Sequence, residues 1–178
     1  MSKAVFEALA ENNLWSNHRL HRACAGLSEG AYFQERPSFF GTIHATLTHI
    51  LETDLRYLNR MKGLDADAPT PIGPDPVDLT GMTKAQERQD RALLAFCRAL
   101  GGEELASEIT WYNSEGTRTC DPLGSMLLHL FQHQIHHRGQ VHALLTQTDV
   151  APPQLDEFFL SMDLPLREAE LRHLGLPG

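Results

Sequence analysis

The 178-residue chain has few cysteines, no long apolar run and no excess of positive charge. Cys24, Cys97 and Cys120 are scattered, odd in number and free of any CxxC pair, which excludes a disulfide framework and a zinc ribbon. No apolar stretch approaches the roughly 18 residues that a bilayer span needs. Lys and Arg number 15 against 23 Asp and Glu, a net charge of -8. This balance argues against general nucleic-acid binding, which needs clustered cations, and against docking on anionic membranes. Glu7 falls where a secretory signal needs its apolar core, so a cytoplasmic protein is expected. Hydrophobic residues make up 42% and charged residues 21%, the composition of a globular chain. The length suits a single domain over residues 1–178, with enough chain to bury a core unaided.

Histidine, by contrast, is plentiful. There are ten, and His129, His133, His136 and His137 crowd one short stretch.

Apolar periodicity divides the chain into helices. Phe6, Leu9, Leu14, Leu20 and Leu27 predict a first helix over residues 3–27, broken at Ser28-Glu29-Gly30. Ile43, Leu47, Ile50, Leu51, Leu58 and Met61 predict a second, starting near Ser38 and stopped by Gly63. Residues 65–80 hold Pro69, Pro71, Pro74 and Pro76 and read as a long crossover loop. Thr83 with Gln86 reads as a capping box opening a third helix that ends at Gly101-Gly102. Ile109, Thr110, Trp111 and Tyr112 ahead of Asn113-Ser114-Glu115-Gly116 suggest a small hairpin. Asp121-Pro122 reads as the cap and first turn of a fourth helix running to about Gln147. Pro152-Pro153 then interrupts, and a short C-terminal helix is expected over residues 156–173. The fold class is therefore all-α: a four-helix bundle with a long crossover.

On the fourth helix, Leu123, Met126, Leu130, His133, His137, Val141 and Leu144 lie within an arc of about 80°. They step by three and four, as a bundle seam does. His133 and His137 thus occupy core positions one turn apart, where two imidazoles can aim at one point, the geometry that makes HxxxH a helical chelate. Two buried histidines on one seam otherwise need two sets of hydrogen-bond partners, and a shared metal satisfies both. His129 and His136 flank the seam and His142 points away. A third ligand must come from elsewhere. The second helix offers His44, favoured slightly by its place beside the apolar stripe, and His49. Asp54 stands within that stripe, as a hydrogen-bond partner across helices or as a carboxylate that orients a ligand imidazole. Buried structural roles fit the cysteines best, and core packing accounts for Trp15 and Trp111 as well as pocket lining does.

Three segments carry a family likeness. They are Asn12-Asn13-Leu14-Trp15-Ser16-Asn17, the run from Phe39 to Asp54 containing His44-Ala45-Thr46-Leu47-Thr48-His49, and His133-Gln134-Ile135-His136-His137-Arg138-Gly139-Gln140. With Pro152-Pro153-Gln154-Leu155-Asp156, they make the chain resemble the DinB-like (damage-inducible) metalloenzymes. The resemblance implies a four-helix bundle holding a divalent metal, zinc or nickel, through His49, His133 and His137. Thr48 stands where many members have Asn. It also implies a homodimer and, by analogy with members of known activity, an S-transferase using a low-molecular-weight thiol such as glutathione, bacillithiol or mycothiol. A metal-dependent hydrolase and a non-catalytic metal-binding stress-response protein are the alternatives. No carboxylate separates His133 from His137, as it does in HExxH hydrolases, which favours thiolate activation over hydrolysis. Arg138 and Gln140 read as structural braces.

Overall fold

The computed structural model describes residues 2–66, 78–112 and 115–177. In chain order the elements are α1 (Lys3–Cys24), α2 (Glu29–Phe33), α3 (Ile43–Met61), α4 (Leu79–Ala99), β1 (Glu108–Tyr112), β2 (Arg118–Pro122), α5 (Leu123–Leu145) and α6 (Leu164–Leu174). Helices α1, α3, α4 and α5 form the bundle. α1 and α3 each pack against both α4 and α5. β1 and β2 pair as an antiparallel ribbon with Thr110 opposite Cys120. The expected all-α bundle, hairpin and C-terminal helix are all present.

Several boundaries differ from the sequence reading, each for a local reason. α1 ends at Cys24, and residues 29–33 make a separate turn of helix, α2, because the Ser28 side chain accepts from the backbone of Ala31. α3 starts at Ile43 rather than Ser38, with Thr42 capping the backbone of Ala45. Thr83 does not open α4. Asp78 caps Gly81 one turn earlier, and the Thr83 hydroxyl instead donates to the carbonyl of Leu79. Asp121 does not cap α5. It belongs to β2, and its carboxylate accepts from the Trp111 indole at 2.8 Å. α6 starts at Leu164 after a tight turn over Ser161–Asp163 and closes on Gly175, whose φ of 69° a side chain would strain. The four prolines of the crossover and the Asn113-Ser114 turn lie outside the described residues.

The bundle interior has two apolar clusters. One gathers Phe6, Leu14, Trp15, Leu58, Leu93, Leu127 and Leu130 with α6, and the other gathers Leu20, Ile43, Leu47, Leu51, Met82, Val141 and Leu144. Between them in every helix falls a buried polar residue: Asn17 on α1, Asp54 on α3, Gln86 and Asp90 on α4, and Gln134 and Arg138 on α5. A polar layer thus divides the core. Its members bond to one another, which offsets the cost of taking them out of water. The metal-ligand candidates lie at the level of this layer.

Candidate metal centre

α3 carries His49 and α5 carries His133 and His137. Helical spacing puts the last two on the face that meets α3, and the packing of α3 on α5 brings His49 opposite them. One ligand nitrogen from each imidazole lies within 4.8 Å of the others. Ring centroids are 4.2 Å apart for His133 and His137, 4.6 Å for His49 and His137, and 4.9 Å for His49 and His133. The Nε2 atoms of His49 and His133 are 3.0 Å apart. A tetrahedral ion held at about 2.0–2.1 Å from each nitrogen needs ligand nitrogens about 3.3 Å apart, so this pair is already near the spacing an ion imposes.

The electrostatics suit the same reading. Burial pushes the His133 imidazole down to about 3, helped by its neighbours His137 and His49. Burial also lowers His49 and His137, with a further contribution to His49 from His137. All three are therefore neutral at pH 7, the form that binds metal. Nδ1 of His133 is buried with no hydrogen-bond partner, and so is the hydroxyl of Thr48. A trio of imidazoles kept unprotonated and crowded together fits a divalent ion.

Two residues complete the site. Gln140, one turn beyond His137, accepts from its Nδ1 through Oε1 at 2.7 Å. This bond fixes the tautomer and leaves Nε2 of His137 free for an ion. Phe40 stacks on His49, with centroids 4.5 Å apart, and touches His137. The turn at Gly41, with φ of 79°, folds Phe40 back over the triad, and a Cβ there would meet the Glu35 carboxylate at 2.8 Å. Sequence reasoning treats Gln140 as a brace only and gives Phe40 no role. The spacing of Gln140 from His137 was the available signal for the first. Nothing in periodicity marks the second.

The remaining candidates lie apart from the triad. His44 turns to the Tyr32 hydroxyl at 3.2 Å and packs on Phe33. His129 stacks on Tyr57, and exposed His136 packs edge-on against His137. Asp54 meets no imidazole; its carboxylate accepts from Gln86 and Gln134. Arg138 is buried and donates to the amide oxygens of Asn13, Asn17 and Gln134 rather than directly to a carboxylate. Trp15 is fully buried, with its indole on Glu170, and Trp111 lies beneath Arg60. Cys24 and Cys97 are buried, and burial raises both thiols to about 12. Cys120 is exposed on β2.

The family profile described as DinB family matches residues 1–168. The chain belongs to the DinB family. Protein DinB of Bacillus subtilis is 24% identical over 160 residues, covering 88% of this chain and 92% of that protein. Among solved structures, a DinB-like protein from Bacillus cereus superposes with a TM-score of 0.60 at 20% identity, over 79% of this chain and 90% of that one. The DinB-like protein YjoA of Bacillus subtilis gives 0.62 at 18%, over 83% and 96%. Those two likenesses concern the fold. No helix of the described residues is long and apolar enough to cross a membrane.

Proposed function

We propose that this DinB-family protein is a metal-dependent S-transferase that joins a low-molecular-weight thiol to a small electrophile. The observation that carries the reading is a group of three neutral imidazoles, from two helices, with no fourth protein donor in it among the described residues. Three ligands make an open site, the arrangement of catalytic rather than structural centres. His49, His133 and His137 are assigned as ligands of a divalent ion, zinc or nickel, both of which accept imidazole. An ion held there would supply Lewis acidity, lowering the pKa of a thiol brought to it. The residues of the chain then orient and exclude. Gln140 keeps His137 in one tautomer. The Phe40 ring shields one side of His49 from water. Gln134, Ile135 and His136 fill the positions between the two ligands of α5, so no carboxylate stands there to serve as a general base. That favours a thiol nucleophile over water. We assign the protein to the cytoplasm, as a homodimer, with no nucleic-acid or membrane partner.

The test is thiol consumption by zinc- or nickel-loaded protein with glutathione, bacillithiol or mycothiol and a reactive alkyl or epoxide electrophile. Turnover with one thiol, lost in His133→Ala with helicity retained, is the expected result. Stoichiometric metal without turnover for any thiol returns the protein to a metal-binding, non-catalytic role.

A further inference from the structure

The polar layer behind the triad holds two unpaired acceptors, one on α3 and one on α4, that a single proton would join. Its one cation among the described residues is Arg138, on α5, which donates to the side-chain oxygens of Asn13, Asn17 and Gln134. Each of these amides then turns its nitrogen to a carboxylate. Asn13 donates to Asp90 Oδ1 at 3.0 Å, Asn17 reaches both Asp90 oxygens at 3.0 and 3.1 Å, and Gln134 donates to Asp54 Oδ2. Gln86 divides its nitrogen between Asp54 Oδ2 at 2.9 Å and Asp90 Oδ1 at 3.0 Å.

The two carboxyls are therefore served unequally. Asp90 receives donors on both oxygens. Asp54 receives two, both on Oδ2. Among the described residues, Oδ1 of Asp54 is buried with no partner, and so is Oε1 of Gln86. Both orphans are acceptors, so neither satisfies the other as they stand. Asp54 and Gln86 are 0% and 1% exposed. A proton on Asp54 Oδ1 turns one orphan into the donor that the other lacks. With the existing bond from Gln86 Nε2 to Oδ2, it closes a cyclic acid–amide pair.

We propose that Asp54 is a neutral carboxylic acid in the folded protein, its proton on Oδ1 donating to Gln86 Oε1, and that Asp90 is the ionised counterpart of Arg138. The layer then holds one cation and one anion instead of an unbalanced second anion, which a buried site disfavours strongly. The charged groups facing Asp54 are Asp90 from α4 and Arg138 from α5. α1 contributes the amides of Asn13 and Asn17, with His21 a turn further on, bonded to Thr83. Burial raises both carboxyls, and two neighbouring buried carboxyls retain a proton between them. The donor count places it on Asp54. Asp54 is thereby a positioning residue: a neutral clasp that holds Gln134, and with it the helix of His133 and His137, against the helix of His49.

Infrared spectroscopy of the full chain tests this, because the carbonyl stretch of a protonated carboxylic acid stands apart from amide and carboxylate bands. At about pH 6, where exposed carboxyls are ionised, wild-type protein is expected to show one such band, shifted in deuterium oxide. Asp54→Asn should abolish it and fold normally, since the new amide donates to Gln86 Oε1 as the acid does. A wild-type spectrum without the band, a band that survives Asp54→Asn, or failure of Asp54→Asn to fold each overturns the proposal. The wild-type measurement alone suffices to refute it if the variant is lost.

Discussion

Gln134, between His133 and His137 on α5, donates its side-chain amide to the buried carboxyl of Asp54 on the helix that carries His49. This contact joins the two helices of the metal site beneath the imidazoles.

Replacing His49, His133 or His137 singly by alanine is expected to abolish stoichiometric metal binding. Metal content by mass spectrometry, on protein purified without an affinity tag, should fall from about one ion per chain to near none. Far-UV circular dichroism should be unchanged, because His49 and His133 are only partly buried and the apolar clusters are untouched. Wild-type protein that stays metal-free in zinc or nickel excess would remove the basis for the proposed activity.

Gln140→Ala removes the acceptor that holds His137 Nδ1. Metal affinity should weaken by about 10–100-fold, the usual effect of losing a hydrogen-bond partner behind a ligand. A competition titration with a chromophoric chelator reads it, and an unchanged affinity would show that the bond does not orient the ring.

Arg138→Met leaves Asp90 without its cation while keeping most of the side-chain volume. Breaking a buried charge pair from one side costs about 3–5 kcal/mol, so the urea midpoint should fall sharply even in metal-free protein. A loss below about 1 kcal/mol would mean that Arg138 contributes packing alone.

Among the groups that make stability depend on pH, Asp54 and His133 act in opposite senses. Asp54 is raised to about 7 by burial, above the unfolded value of about 3.9. The folded chain holds a proton that the unfolded chain releases, so this contribution is complete below about pH 4 and is lost as pH climbs to about 7. His133 is lowered to about 3 from about 6.5 unfolded, so its contribution is present above about pH 6.5 and is lost as pH falls towards 3. Asp54→Asn removes the first and leaves the second. Relative to wild type, its unfolding free energy in metal-free protein should therefore improve steadily between pH 4 and 7. A constant difference across that range would assign the linkage to another group.

The bundle and the α5 histidine pair are legible because they rest on period. His133 and His137 interrupt an apolar seam at helical spacing, and no tertiary information is needed to see it. His49 is not legible that way. α3 faces α4 on one side and α5 on another, and a single wheel stripe describes only one of these, which is why spacing favours His44 while the packing puts that ring on Tyr32. Local hydrogen bonds explain the boundary differences. Thr83 and Asp121 both have cap-like neighbours in sequence, yet Asp78 lies one turn earlier and Trp111 lies across the ribbon to claim the carboxylate. The polar layer was visible only as isolated oddities such as Asp54. Its meaning depends on Asn13, Asn17, Gln86 and Gln134 arriving from different helices, a coincidence that no one-dimensional pattern contains.

The layered core has a consequence for how the site acquires its ion. A helix sliding by one turn would set Asp54 or Arg138 against leucine, so the polar layer locks the helices' axial alignment before any ion arrives. That alignment gathers the three imidazoles at one level of the bundle. An ion bound there would meet helices that the polar layer has already set in register.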